Sequence, residues 1–341
     1  MHHDRGFSLI ELMVAMTIGL MLLGGAASLF ISNKRIYREQ EELSRLQENG
    51  RFALEMLIGD IRMTGYVGCH DELGRLVNQV STVPTQLMSY SQRVEGSESA
   101  ANWLPGSSAE SVASMLASTD GITVRYLDPT DIRLTTAMSP SALGADLDVA
   151  SDSGADVDTI VSSATQLAIA DCSTSDVFTA GDVTADSIPH AAALSKAYGV
   201  GAQIMRFVAR RYYIRNGTNG PALWMSEWNR DPNGDSSTAD AGVIDRELIE
   251  GVESMQVLYG VDDGDADTEP NSYVDAAGAD AAGWVNVVSV RISLLMRTVD
   301  TNANNEVDNR TYPVLDQSVG PFGDQRRRRI FSATVRIRNN T

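Results

Sequence analysis

Gly6-Phe7-Ser8-Leu9-Ile10-Glu11-Leu12-Met13-Val14 is the stretch on which the reading of this chain turns. A short polar leader ends at Gly6, and a long apolar run begins at Phe7. Between Phe7 and Ile31 the only strongly polar residue is Glu11, with Ser8, Thr17 and Ser28 as mild exceptions. Residues 7–31 are enough to cross a bilayer as a tilted helix. The leader is too short and too polar to be the apolar core of an ordinary signal peptide. A carboxylate inside a membrane segment costs a few kcal/mol and calls for a partner or for the interface. Glu11 is therefore the first candidate functional residue. Gly19, Gly24, Gly25, Ala26 and Ala27 add a small-residue surface on which other helices can approach closely.

Downstream of Ile31 the pattern turns amphipathic. Leu43, Leu46, Gly50, Ala53, Leu57 and Ile61 recur at spacings of three and four, one face of a helix. No proline occurs before Pro84, and Gly65 is a plausible stop. The pattern predicts one rod over residues 7–63, about 85 Å long at 1.5 Å per residue. The repeat is not sustained over enough heptads for a coiled coil. Its apolar face is expected to pack under a domain of the same chain.

The chain has 341 residues and a net charge of −18. The charge is uneven: residues 1–62 carry −1, residues 310–341 carry +5, and residues 63–309 hold −22. An acidic body argues against nucleic acid as a partner. Cys69 and Cys172 are the only cysteines, and only His70 and His190 follow the leader. Their spacing does not suggest a metal site. The pair reads as one disulfide in an oxidising compartment, or else as two thiols. A bridge would close a loop of about 100 residues and contribute roughly 4–5 kcal/mol in the chain-entropy account.

Strand-like alternation appears at 122–126, 132–134, 204–215, 222–225, 254–261, 287–297 and 330–338. Short connections between consecutive strands favour an antiparallel sheet. Residues 70–120 read as loops with a short helix near 109–117. Residues 137–165, rich in Ala, Ser, Asp and Gly, read as a surface insertion, and Glu247–Glu250 looks helical. The acidic stretch 262–269 offers Asp263, Asp265 and Asp267 as candidate Ca2+ ligands, since carboxylates at alternating positions can converge on a hard cation. The simpler alternative is a solvated turn, because the sixth and twelfth positions depart from a calcium loop. Arg326–Arg329 reads as a solvated strand edge or a docking surface for an acidic neighbour. No spacing points to a catalytic triad, a phosphate loop or a metalloprotease helix, so the chain is read as no enzyme and without a resident cofactor.

The stretch Gly6–Val14 resembles the class III signal of type IV pilins and of type II secretion pseudopilins. The resemblance implies cleavage by a prepilin peptidase between Gly6 and Phe7 and N-methylation of Phe7. It also implies an assembly salt bridge from Glu11 to the free amine of a neighbouring subunit. Leu43–Leu54, Asp60–Cys69, Glu253–Val261 and Val288–Leu295 further resemble the PilW family of minor pilins. Residues 70–200 lack that likeness, and the chain lacks the proline many major pilins carry in the membrane helix. The fold so implied is α+β and pilin-like: a long N-terminal helix packed on a C-terminal antiparallel β-sheet head. The leader would be residues 1–6, the helix 7–65 with its transmembrane part at 7–31, and the extracytoplasmic head 66–341.

Implied partners are other minor pilins, the major pilin, the prepilin peptidase, a tip adhesin and the inner membrane. The implied course is a single pass with the N-terminus cytoplasmic and the head periplasmic, then export into an extracellular pilus. Flanking charge alone, Arg5 against Lys34, Arg35 and Arg38, favours the reverse orientation. The implied role is structural, priming assembly and sitting at or near the pilus tip. The alternatives are a pseudopilin J-like subunit of a secretion pseudopilus and a calcium-dependent adhesive module.

Overall fold

The computed structural model describes residues 9–69, 76–79, 87, 92–98, 115–140, 142–163, 165–229, 242–264, 269–301 and 306–339. One helix, α1 (Leu9–Met63), runs 55 residues without a break, about 80 Å. It ends where the sequence predicts. The Thr64 amide still donates back to Asp60, and Gly65 turns the chain with φ +78°. A side chain at residue 65 would start 2.7 Å from the Asn339 carbonyl oxygen. The positive φ and the close approach both select glycine there.

The strands divide by chain order. The first sheet takes β1 (Leu76–Asn78), β2 (Val94–Ser97), β3 (Gly121–Leu134), β4 (Leu147–Ser151) and β5 (Gln166–Ala170), followed by β6 (Ser175–Thr179), β7 (Ser187–Ile188), β8 (Gln203–Gly217), β9 (Gly220–Asn229) and β10 (Gly242–Glu250). All its pairings are antiparallel except β1 with β6. The long strand β8 is its spine. It pairs with β3 along one side, and with β5 and then β9 along the other. The second sheet has the order β12-β11-β13-β16, from β11 (Val252–Val261), β12 (Ser272–Val274), β13 (Val287–Arg297) and β16 (Arg328–Arg336). A short helix, α2 (Ala276–Ala282), joins β12 to β13. A separate ribbon, β14 (Tyr312–Val314) with β15 (Gln317–Val319), precedes β16. The fold is α+β: a long apolar helix and a mostly antiparallel β head.

The buried stripe of α1 lies over the seam between the two sheets. Leu46, Ala53, Leu57 and Ile61 share one core with Ile122, Tyr212 and Leu223 of the first sheet and Val257, Ile292 and Val335 of the second. Gly50 lets the helix come down on Phe331, because a Cβ at residue 50 would fall 2.5 Å from that ring.

Three local expectations are corrected. Residues 137–165 are not a mere surface insertion. Leu147, Val149, Val157 and Val161 point inward and build a second core with Leu134, Ile169, Phe178, Tyr198 and Ile204. These apolar residues are sparse in sequence, but strand alternation turns Leu147 and Val149 inward and a short 3-10 turn at Val157–Thr159 brings in Val157. Glu247–Glu250 is strand, paired with β9 through a bulge between Glu247 and Ile249. Sheet pairing here outweighs the helical propensity of Glu and Leu. Of the helix expected at 109–117, residues 109–114 lie outside the described residues. Met115 sits in an antiparallel bridge to Arg215, and the Leu116 amide donates to Ile214.

Two carboxyl groups stitch the sheets together. Asp120 accepts the Val257 amide at 2.8 Å, and Glu98 accepts the Ala276 amide at 2.8 Å. Burial, and then the neighbouring Glu98 charge, push the Asp120 carboxyl up to about 8; burial also raises Glu98. The folded state thus holds a proton that the unfolded chain releases above 3.8, so this group makes stability fall as pH rises from there to about 8. In Asp120→Asn the amide oxygen can still accept from Val257 while its NH2 donates to Glu98. Urea midpoints measured against pH should fall less steeply for this variant than for the wild type, with the variant the more stable near pH 8.

Candidate functional site

The helix has two halves with opposite surroundings. From Leu9 to Ile31 its large apolar side chains stand exposed. The helix is long and apolar enough to cross a membrane, and none of its most apolar window is buried. Glu11 sits in its first turn. Gly6 and Phe7 lie outside the described residues.

The C-terminal half is locked to the head at three levels. Nearest the helix end is Asp60, 8 % exposed. Its carboxylate accepts from the Tyr126 hydroxyl at 3.0 Å and from the Tyr212 hydroxyl, and Arg210 Nη1 reaches both oxygens at 3.0 Å. Tyr126 comes from β3, and Arg210 and Tyr212 from β8, so one helical side chain gathers the spine of the first sheet. Burial, then the Asp60 charge, hold both phenols well above their usual range. The Asp60 charge likewise holds the Arg210 guanidinium above its own, against the effect of burial. Only an acid offers oxygens for four such donor contacts without a donor of its own. Asp60 escapes a reading by periodicity because a carboxylate beside Ile61 looks like the solvent face. The available signal was its position three residues after Leu57, on the buried stripe.

Past the end of the helix, Cys69 is joined to Cys172, with Cα atoms 4.9 Å apart. The bridge fastens the foot of α1 to the turn between β5 and β6. At the other end of the buried stripe, Arg327 donates to Glu39 at 3.1 Å and pairs with Glu306 at 2.8 Å.

The arginine run therefore differs from a solvated edge. Arg328 is wholly buried, its side chain 0 % exposed. It donates to Glu253 on β11 and to Asp308 and Asp324, and its guanidinium lies 3.7 Å from the Phe322 ring centre. Arg326 donates to the Thr298 and Val299 carbonyls. Of the four, Arg329 alone is exposed. The local acids explain the inward turn: Glu253, Asp308 and Asp324 surround a cation that burial alone would expel. Desolvation raises Asp308, but donors from Tyr312, Arg310 and Arg328 win and hold it down to about 2.

Of the candidate cation ligands, Asp265 and Asp267 lie outside the described residues. The Asp263 amide donates to Asn271 Oδ1, and Asp262 Oδ1 accepts from the Gly264 amide, the geometry of a tight polar turn.

Two family descriptions match the chain. Residues 1–27 match the prokaryotic N-terminal methylation motif, and residues 211–339 match the type IV pilus-assembly protein W family. The chain thus resembles type IV pilus-assembly proteins over its C-terminal part and carries a methylation-type motif at its start. The second match runs from the C-terminal half of β8 to the end of the second sheet, so it contains Tyr212, Glu253, Arg328 and Phe331. Residues 28–210 lie outside both matches. They include the second core and Cys172. No curated protein matches the chain. The methylation motif and the exposed apolar helix support membrane anchoring.

Asp60→Asn leaves Arg210 with Glu227, at 3.9 Å, as its only carboxylate among the described residues. Chemical denaturation of the full chain in detergent should show a loss of about 2–3 kcal/mol for Asp60→Asn and about 1 kcal/mol for Tyr212→Phe. Losses below about 0.5 kcal/mol for both would mean the cluster does not hold the helix.

Proposed function

We propose that the chain is made as a prepilin, cut between Gly6 and Phe7, N-methylated at Phe7, and held in the inner membrane by residues 7–31 with its head, residues 66–341, in the periplasm. From there it passes into the type IV pilus. It helps to prime assembly with other minor pilins and the major pilin, and it stays at or near the tip, beside an adhesin. The observation that carries this reading is the split character of α1. Its first half presents apolar surface with one carboxylate, and its second half is fixed in the head. A subunit built this way can exchange lipid for the helices of its neighbours without disturbing its own core. Glu11 then pairs with the Phe7 amine of an adjacent subunit, because a carboxylate leaving the interface for a helix bundle needs a cation.

Glu11→Ala tests the reading directly. The variant should be cleaved and should accumulate in the membrane at wild-type level. It should be missing from sheared pili, and pilus number should fall as it does on deletion of the gene. Wild-type amounts of the variant in sheared pili would contradict the role given to Glu11. Loss of exoprotein secretion with pili intact would move the subunit to a secretion pseudopilus.

A further inference from the structure

Between Glu11 and Glu39 the chain has no acid, and its only cations are Lys34, Arg35 and Arg38. All three are exposed on α1, and none makes an ion pair among the described residues. Lys34 and Arg38 are one helical turn apart, with Arg35 beside them. The acids that follow have other partners. Glu39 accepts from Arg327 on the head, and Glu41 and Glu42 both face Arg45. Arg38 borders the cleft that holds Glu41, Glu42 and Asp300 but pairs with none of them. Lys34 and Arg35 line no cleft with an acid among the described residues.

Their height on the helix names the partner. They stand about 5–11 Å beyond Ile31, the last residue of the apolar run, at 1.5 Å per residue. The polar layer of a bilayer adds about 5–8 Å on each side of its hydrocarbon. Helical Cα–Cβ bonds tilt toward the N-terminus, so these long side chains lean back toward the apolar run. Tyr37, 69 % exposed, stands among them, and a tyrosine suits the same layer. Among the described residues the first tie from the helix to the head is Glu39, so the head leaves this level open.

We propose that Lys34, Arg35 and Arg38 form a collar that binds the phosphate head groups of anionic phospholipid where α1 leaves the bilayer. This rests on the reading that residues 7–31 lie in a membrane. The collar also accounts for the flanking charge that opposes the proposed orientation: these cations hold lipid on the side of the head. Each cation at an anionic surface contributes about a fivefold factor in affinity.

The test uses the full chain in neutral detergent, titrated with phosphatidylglycerol or with phosphatidylcholine of the same acyl chains, and counts bound lipid by native mass spectrometry. The wild type should bind phosphatidylglycerol at least about tenfold more tightly. The variant K34Q/R35Q/R38Q keeps good helix formers at all three positions and should bind the two lipids equally. The variant R51Q/R329Q/R338Q, which loses the same charge from the head half of the chain, should keep the preference. Excess inorganic phosphate should not displace the lipid, whose tails add to the hold. Four results overturn the proposal: equal binding of both lipids by the wild type, a preference that survives in the collar variant, an equal loss in the head variant, or displacement by phosphate. The second would leave the collar to an acidic neighbouring protein, and the last would make it a site for free anions. Alkaline extraction of cell membranes separates the two readings. Release of the chain by alkali overturns the membrane reading and the collar together, whereas a chain that stays inserted without lipid preference overturns the collar alone.

Discussion

A helix of 55 residues with its first half outside any core of its own can be held only by its second half. The hold is a seam. Leu46, Leu57 and Ile61 each bury a side chain worth about 2 kcal/mol against strands of both sheets. Gly50 brings the helix axis close enough for Phe331 to fill the space beneath it. Apolar contact fixes how deeply the helix sits but sets its rotation and slide only loosely. Asp60 supplies what packing lacks: three directional partners on two strands, which one helical phase alone can satisfy.

The two covalent and ionic ties then make the seam one body. The disulfide fastens the helix foot to the β5–β6 turn, on the side of the second core. Arg327 fastens Glu39, several turns higher, to the start of the last strand. Between them Arg328 turns a run of four cations into an internal clamp on Glu253, Asp308 and Asp324. The basic C-terminal stretch and the acidic middle, opposite in sign along the chain, are partly neutralised against each other in space.

Much of this was legible in residues, unevenly. The length of α1, its stop at Gly65 and its buried stripe follow from periodicity and from one glycine. The strands at 204–215, 287–297 and 330–338 follow from alternation. What escaped has a common physical cause. Asp60 and Arg328 carry charges, and charge reads as solvent exposure until the partners are known; those partners lie 66 to 152 residues away from Asp60 and up to 75 from Arg328. The strand at 247–250 is set by its neighbour β9 and not by its own propensities. The second core draws its apolar residues one or two at a time from a polar stretch, which no local window gathers. The apolar half of α1 was the most legible part because its chemistry is local: a long run of apolar residues with one acid.

The central claim is that the C-terminal half of α1 and the two-sheet head are one cooperative unit, with the N-terminal half free to change its surroundings. Native-state hydrogen exchange along α1, in the full chain in detergent, tests it most directly. The account predicts that amides from Leu46 to Ile61 open only with the slowest strands, β3, β8 and β13, and show the same opening free energy and denaturant dependence as those strands. Opening of residues 46–61 at a distinctly lower free energy, with the strands still protected, would show that the helix merely rests on the head and would contradict it.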